Sequence, residues 1–350
     1  MKTRPNLINF FYLVGSGLIV QLAGAIYRIW LARSIGPEGL GLLQMIYPVY
    51  RLLSGVATIG LPTALTKWVS EYLACRQYHK ITALKKWAGR IVLIASIVIG
   101  ALLYMAAPFL SRSIFTDSRI QESLYIVAFA IPFSALSAIY RGYFQGCSLM
   151  APTAVSEIAE QLIEIVSTLL LVEICLSISP FTKFAAPVFG LTLGEITCFL
   201  TLILFFKNYH PGSPQLSIVT PPSDQSLPQR QIFRYSWPIL LNQVVVSISL
   251  ASEGIIIPHL LISSGLAASA STGLFGKLTG MAEPIAYFPL LFAAPLGSVL
   301  SPQVSSAFKT KSFGKLLRKI SLFYLAATCF CLLAFILIMW LAAPLARFLY

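Results

Sequence analysis

Long apolar runs separated by short polar stretches dominate the chain. Most of them reach the length of about 20 residues that a membrane-spanning helix needs. The pattern predicts an all-α polytopic membrane protein with about nine spanning helices. The predicted spans are 7–32, 40–68, 88–109, 122–146, 153–175, 185–206, 234–262, 270–303 and 320–346. The second and the eighth are long and contain Pro and Gly, and we interpret each as one tilted or kinked helix.

One polar stretch divides the predicted helices into two groups. Residues 208–230 are rich in Pro, with Ser and Gln between the prolines, a composition typical of a linker. We therefore predict an N-terminal lobe of six helices at 1–206, a cytoplasmic linker at 207–233 and a partial C-terminal lobe of three helices at 234–350.

The second group of helices repeats the first at an offset of about 233 residues. The matched pairs are Pro5 with Pro238, Asn9 with Asn242, Gly41-Leu42 with Gly273-Leu274, and Ala106-Ala107-Pro108 with Ala342-Ala343-Pro344. An even number of predicted helices separates the matched points, which indicates a parallel repeat of the kind that relates the halves of many transporters. Because residue 350 corresponds to about residue 115 of the first unit, we expect a truncated second lobe without counterparts of residues 116–206.

Composition and charge agree with a membrane protein. The chain is 57% hydrophobic and 11% charged, with a mean hydropathy of +0.81, whereas a soluble domain carries about 25% charge. The net charge of +13 does not predict nucleic-acid binding, because the basic residues lie between apolar runs. With the N-terminus placed in the cytoplasm, most Lys and Arg fall on that side, Arg141 among them, which fixes the orientation.

Three basic residues lie inside predicted spans, where charge is costly and indicates function. Arg51 lies near the middle of the second span, and we expect it to face a water-filled cavity or an anion. Arg28 and Lys277 lie nearer the outer ends of their helices, so they are either cavity residues or residues that reach the outer interface.

Acidic and amide side chains form a second group in the spans: Glu157, Glu160, Gln161, Glu164, Glu253 and Glu283. The first four fall within about 100° of one another on one helix and form a polar stripe. The stripe either lines a cavity, where it pairs with the basic residues or binds a coupling cation, or forms a structural ion-pair network between helices. No phosphate loop, metal cluster or nucleophile motif is present, so the sequence predicts no enzyme, no metal and no cofactor.

Several stretches resemble a known family. ARSIGPEGLGLLQMIYPVY (32–50), GLPTALTKWVSEY (60–72) and RGYFQG (141–146), followed by EQ (160–161), are similar to the stage V sporulation protein B group. That group belongs to the polysaccharide-export and lipid-flippase branch of the multidrug/oligosaccharidyl-lipid/polysaccharide exporter superfamily.

The resemblance implies a fold of two six-helix lobes around a central cavity, like that of the MATE exporters and MurJ flippases. It implies transport of a lipid-linked sugar precursor in the bacterial plasma membrane, with a role in spore cortex peptidoglycan. The implied partners are the lipid-linked glycan, membrane lipids and cell-wall synthesis proteins. In the related flippases basic residues of helices 1, 2 and 8 line the cavity, which assigns substrate binding to Arg28, Arg51 and Lys277. Glu164 departs from the pattern, because a basic residue is expected there.

Two other functions stay open at this point. A cation-coupled multidrug exporter of the same fold would use a lone carboxylate as its cation site, and Glu253 or Glu164 would qualify. A scaffold of a cell-wall assembly complex would transport nothing.

The predicted orientation can be tested by labelling single cysteines in intact cells. In a background without the native cysteines, a thiol introduced by Ser223→Cys should react with a membrane-impermeant reagent only after the cells are permeabilised. Ser118→Cys, in a loop predicted on the outer side, is the matched control and should react without permeabilisation. Labelling of the Ser223→Cys variant in intact cells would overturn the orientation.

Overall fold

A computed structural model of the protein describes residues 4–115, 117, 119–178, 184–208, 228–287, 321, 324–325, 328–341 and 344, with the backbone alone at 4–14, 18 and 175–178. Over these ranges the chain is helical and contains no strand. The helices are α1 (Arg4–Thr58), α2 (Leu61–Ala74), α3 (Tyr78–Phe109), α4 (Ile120–Gly146), α5 (Ala151–Ile178), α6 (Ala186–Asn208), α7 (Gln229–Ser263), α8 (Ala268–Gly276), α9 (Glu283–Tyr287) and α10 (Thr328–Leu341). Most of the predicted linker and the ends of the last two predicted spans lie outside the described residues.

The first helix consists of two arms joined at Gly36. Its 55 residues would extend about 80 Å as one straight helix, far more than a bilayer core of about 30 Å. Gly36 has φ 73° and ψ 178°, a conformation that glycine adopts readily and other residues avoid. Tyr27 and Arg28 on the first arm lie within electrostatic range of Tyr47 on the second, so the chain folds back at Gly36. The two arms correspond to the first predicted span and most of the second.

The prediction that residues 40–68 form one helix was wrong. The helix ends at Thr58, the backbone takes positive φ at Ile59 (54°) and Gly60 (66°), and α2 begins at Leu61. Pro62 explains the break, because its ring would clash with the carbonyl of Thr58 in a continuous helix and it has no N–H to donate. The sequence contained this signal.

The eighth predicted span is not a uniform helix. It begins as α8 and continues through a π-helical segment, Lys277–Ala282, into α9. A second π-helical segment, Leu110–Ile114, extends α3. Each segment lies next to a proline, Pro284 or Pro108, and a proline disrupts regular α-helical hydrogen bonding in its neighbourhood.

Large apolar side chains remain exposed along the helices, as expected of a surface that faces lipid. Five helical stretches of the described chain are long and apolar enough to cross a membrane: Gly15–Thr58, Tyr78–Ile114, Ile120–Gly146, Ala186–Asn208 and Gln229–Ser263. Examples of exposed side chains are Ile94 and Met105 on α3 and Leu204 on α6, at 65%, 78% and 59% exposure. Such surfaces are stable in hydrocarbon, where every helical backbone group is bonded within its own helix.

The helices that follow the linker pack closely on the second arm of α1. A Cβ added at Gly41 would lie 2.1 Å from the Thr272 carbonyl oxygen, and one at Gly276 would lie 1.9 Å from the Pro37 carbonyl oxygen. The Gln44 amide donates a hydrogen bond to the Thr279 carbonyl at 3.2 Å. Contact this close between helix backbones requires glycine, as is common between membrane helices. The lobe boundaries and the parallel repeat remain predictions.

This contact predicts opposite outcomes for two glycines of α8. Gly276→Ala should destabilise the protein by about 1–3 kcal/mol, since the added methyl group overlaps the backbone of α1. Gly273→Ala, where a Cβ meets nothing within 4 Å, should be neutral or slightly stabilising because alanine favours the helix. Thermal unfolding of both variants in detergent measures the difference. Equal melting temperatures would show that α8 does not approach α1 as described.

Candidate functional site

The two arms of α1 bring Arg28 and Arg51 into one region. The charges of both arginines act on the phenol of Tyr47, and Arg51 follows Tyr47 by one helical turn on the same face. Both arginine side chains are exposed. Over the described residues, neither guanidinium forms a hydrogen bond or an ion pair. Two arginines of an apolar helix pair are therefore available to an anion or to water.

The neighbour of Arg51 anchors this part of α1 to the interior of the N-terminal helices. The Tyr50 hydroxyl lies 2.8 Å from Ser134 Oγ on α4 and donates to Glu195 Oε1 on α6. Both Tyr50 and Glu195 are buried. Because successive helical residues are separated by about 100°, fixing Tyr50 inward directs Arg51 away from the α4–α6 interior.

Arg141 is a helix residue with a partly buried partner that the sequence pattern did not reveal. It lies in α4, within the predicted span 122–146, although it was counted with the basic residues of the cytoplasmic side; its Nη2 binds Glu160 Oε2 on α5 and lies 2.9 Å from Cys198 Sγ on α6. The side chains of Arg141 and Glu160 are only 26% and 25% exposed. This pair supports the ion-pair interpretation of the acidic stripe for Glu160. The signal was the stripe itself, since buried carboxylates require basic partners.

The other members of the α5 stripe lie against the same surroundings. Glu157 lies within electrostatic range of Arg141 and Glu160, and Glu164 lies within range of Arg28. The Gln161 amide oxygen is 3.8 Å from the position of a Cβ at Gly24 on α1. The four predicted side chains therefore share one side of α5. Among them, Glu164 is within electrostatic range of Arg28.

The basic and acidic residues after the linker lie elsewhere. Lys277 is exposed and follows Gly276, which packs against Pro37 and Gly41. That level of α1 is about 15–20 Å along the helix from Arg51, so the described structure does not place Lys277 beside Arg51. Glu253 on α7 and Glu283 on α9 lie within electrostatic range of one another and form a separate acidic pair.

A further charged cluster closes the end of the N-terminal helices near Gly36. Arg119 Nη1 contacts Glu38 Oε1 at 3.0 Å, and its Nε and Nη2 donate to Asp117 at 2.9 and 2.6 Å. The hydrogen bonds to Asp117 are the main cause that raises the pKa of the Arg119 guanidinium. Because Arg119 contacts both carboxylates, we interpret the cluster as a structural one. Within the described ranges, no group of His, Cys, Asp and Glu could hold a metal ion.

Comparison with known sequences places the chain in a family. The sequence pattern of the family described as "Polysaccharide biosynthesis protein" matches residues 7–308. The chain belongs to that family. Two relatives from Bacillus subtilis (strain 168) confirm the resemblance seen in the motifs. Stage V sporulation protein B is 26% identical over 311 residues, and the lipid II flippase MurJ is 23% identical over 325 residues.

Both alignments cover 89% of this chain and 60% of the relative, so the chain spans about three fifths of the length of these relatives.

Solved structures confirm the predicted MATE-like fold of this family member. A multidrug resistance MATE family transporter in the inward-facing conformation has a TM-score of 0.65 at 16% identity, covering 94% of this chain and 72% of the other. A MOP superfamily transporter from Pyrococcus furiosus, described as having a binding pocket of reverse polarity, has a TM-score of 0.62 at 15% identity, covering 98% and 73%. At these identities the comparison establishes the fold alone.

The Arg141–Glu160 pair predicts a measurable stability coupling. Arg141→Leu should lower the free energy of unfolding by about 2 kcal/mol, because it leaves the partly buried Glu160 without its partner. This value is smaller than that of a fully buried pair, because both side chains remain partly exposed. Replacing both residues by Leu should recover most of the loss. Unfolding of the single and double variants in mixed micelles measures the coupling.

The exposed pair Lys67–Glu71, whose charged atoms are 4.0 Å apart, is the matched control. Glu71→Gln should change the unfolding free energy by less than about 0.5 kcal/mol. Additive losses at Arg141 and Glu160 would show that the two side chains do not interact in the protein.

Proposed function

We propose that this protein takes part in moving a lipid-linked glycan precursor across the bacterial plasma membrane, with Arg28 and Arg51 holding the diphosphate of the lipid. The observation that carries the proposal is the position of the two guanidinium groups on the folded arms of α1. Each is exposed and without an ion-pair partner among the described residues, although each lies in an apolar span.

The chemistry of arginine suits this cargo. A guanidinium stays charged at any physiological pH and presents a planar fork that binds phosphate oxygens in pairs. Two arginines on neighbouring arms can bind the two phosphates of one diphosphate. A neutral or cationic drug carries no negative charge to interact with the two guanidinium groups. It would therefore not offset the free-energy cost of placing two arginines in a membrane span.

The relatives support the same class of cargo. One is named a lipid II flippase and another a stage V sporulation protein, so a peptidoglycan precursor is the proposed substrate and spore cortex synthesis the proposed setting. With the N-terminus in the cytoplasm, export carries the diphosphate toward the positive side of the membrane. Two negative charges would gain about 4.6 kcal/mol per 100 mV, which can drive export. Cell-wall synthesis proteins are the proposed partners.

Lys277 fits this proposal as a second basic position rather than as a direct partner of Arg51. Its location near the Gly36 end of α1 places it on the outer side in the proposed orientation. There it would meet the anion after the cargo has passed the two arginines, or bind phosphates at the membrane surface.

A cation-coupled exporter is the second candidate, because Glu253 and Glu283 form an acidic pair away from the arginines. Such a pair can bind a cation whether the cargo is a drug or a lipid. The two functions differ in what Arg51 does, since a drug exporter does not require an anion site.

The proposed function predicts the behaviour of variants at Arg51 in proteoliposomes. Arg51→Ala should reduce flipping of a fluorescent polyprenyl-diphosphate sugar at least 10-fold, because the phosphate loses a charged donor pair. Arg51→Lys should recover only part of the activity, since a lysine cannot bind two oxygens as a fork.

Arg112→Ala, which removes an exposed arginine beyond the end of α3, is the control and should keep wild-type activity at equal expression. Full activity of Arg51→Ala would exclude Arg51 from the cargo site. A gain of drug efflux without any flipping would favour the exporter.

A further inference from the structure

An aromatic contact joins α3 and α7 near their first turns. The ring of Trp87 on α3 packs edge-on against the ring of Phe233 on α7, with ring centroids 5.4 Å apart. Near the other end of the two helices, His259 Nε2 on α7 lies 2.8 Å from the Ile114 carbonyl oxygen, in the π-helical extension of α3. Because the two helices approach each other at their beginnings and again at their ends, α3 and α7 run in the same direction.

A pair of basic residues lies beside each ring of this contact. The four residues are Lys86 and Arg90 on α3, and Arg230 and Arg234 on α7. At about 100° per residue, the α3 pair is rotated by about 60–100° from Trp87, and the α7 pair is rotated by the same amount from Phe233 in the opposite sense. Since the two rings point toward each other from parallel helices, opposite rotations bring both pairs to the same side of the contact. We call these four residues the basic surface.

The burial of the neighbouring residues agrees with this assignment. The buried residues of the same turns lie on the opposite face of each helix, and they are Ile81, Leu84, Ala88 and Val92 on α3 and Ile232, Ser236 and Leu240 on α7. All four basic side chains are exposed. The two buried faces therefore point into the protein, and the basic surface points outward from the α3–α7 contact.

The charges of the basic surface are not neutralised within the described chain. No ion pair, cation–π contact or side-chain hydrogen bond of the described residues involves these four side chains. Residues 78–116 and 229–252 contain no Asp or Glu, so neither helix supplies a carboxylate near them. Lys85 differs, because its Nζ lies 4.1 Å from the ring centroid of Tyr140 and also contacts the ring of Phe206. The four outward charges are thus available to an external anion.

The same side of the two helices becomes apolar one turn further along. Spacings of three or four residues place Leu93 and Ile97 on the face of Arg90, and Trp237 and Leu241 on the face of Arg234. These four apolar side chains are 39–57% exposed. Exposed Trp next to basic residues is typical of the membrane interface, where the aromatic ring lies at the level of the lipid headgroups. The surface therefore has a cationic end at the membrane boundary and an apolar continuation in the hydrocarbon.

We propose that the basic surface and this apolar continuation bind one anionic phospholipid. Its phosphate would lie among the four cations, and its acyl chains would lie along the apolar side chains of α3 and α7. The leaflet is the one at which α3 and α7 begin, which is cytoplasmic in the predicted orientation. Charge complementarity favours this occupant, because basic clusters at the ends of membrane helices bind anionic headgroups. The proposal does not depend on the proposed function.

A lipid in this position contacts helices on both sides of the linker. The helix α3 belongs to the predicted N-terminal lobe and α7 to the predicted C-terminal lobe. A bound phosphate would reduce the repulsion between the two basic pairs, which lie on the same side of the contact. The anionic lipid therefore stabilises the α3–α7 contact, whereas a zwitterionic lipid does so less.

Native mass spectrometry of the purified protein in mild detergent, titrated with phosphatidylglycerol or phosphatidylcholine, tests the proposal. The wild-type protein should bind phosphatidylglycerol more tightly than phosphatidylcholine. The double variants Lys86→Gln/Arg90→Gln and Arg230→Gln/Arg234→Gln should each weaken phosphatidylglycerol binding about 10-fold or more, because each removes two cations from one site. Their binding of phosphatidylcholine and their melting temperatures in phosphatidylcholine should match wild type, since the four side chains are exposed and unpaired.

The double variant Arg76→Gln/Lys207→Gln is the matched control. It removes two exposed charges from the ends of helices at the same membrane face and should change phosphatidylglycerol affinity less than 2-fold. An equal loss in the control would show general attraction to the membrane surface and no site. Equal affinities of the wild-type protein for the two lipids would overturn the proposal as well.

Tryptophan fluorescence locates the lipid without changing the basic residues. Phosphatidylglycerol with brominated acyl chains should quench wild-type fluorescence more than brominated phosphatidylcholine does, and Trp237→Phe should remove most of that difference. An unchanged difference in the Trp237→Phe variant would place the lipid elsewhere. Farnesyl diphosphate that displaces phosphatidylglycerol from the wild-type protein at a lower concentration would assign the surface to a diphosphate lipid and overturn the choice of a phospholipid.

Discussion

The structure depends on how charge is accommodated within helices that must lie in hydrocarbon. An ionised side chain in a membrane span requires a partner, a water-filled cavity or a ligand. Arg141 meets this requirement with Glu160, and Glu195 meets it through Tyr50. Arg28 and Arg51 do not meet it with any ion pair in the described chain, although they lie on the same folded helix. The interior of the N-terminal helices, where charged side chains have partners, therefore differs from the proposed anion site, where Arg28 and Arg51 have no ion-pair partner among the described residues.

The same helix connects that site to the rest of the molecule. The second arm of α1 carries Arg51, and α8 packs on it so closely that Gly41 and Gly276 tolerate no side chain. The Tyr50 bonds hold the arm to α4 and α6. Because α8, α4 and α6 all contact the second arm of α1, a displacement of α8 relative to α4 and α6 would also involve the helix that carries Arg51. If the protein moves groups of helices around a fixed site, as many transporters do, α1 is the element that would connect that motion to the proposed anion site.

The fold class was predictable from the sequence, but the contacts between helices were not. Arg28 and Arg51 are conspicuous in the sequence because each is a charge within an apolar run, and their role as a binding site stays a prediction. The bond between Arg141 and Glu160 was not predicted, because Arg141 lies only five residues from the end of its span and was counted with the basic residues of the cytoplasmic side. The Tyr50–Glu195 bond joins residues 145 positions apart, and no local pattern indicates such a pair. The break at Ile59 and Gly60 was predictable from Pro62, whose clash with the Thr58 carbonyl ends any continuous helix. Contacts such as that of Gly276 with Pro37 depend on the relative placement of two helices, which periodicity does not encode.

Arg28 and Arg51 are proposed to bind an anionic lipid together. Native mass spectrometry of the purified protein, released from mild detergent, can detect that lipid. The wild-type protein should carry a bound lipid diphosphate, and the Arg28→Ala/Arg51→Ala double variant should lose it while other membrane lipids remain bound. A wild-type protein that carries only lipids without a diphosphate, or a double variant that retains the diphosphate at the wild-type level, would show that the two arginines do not bind a lipid diphosphate.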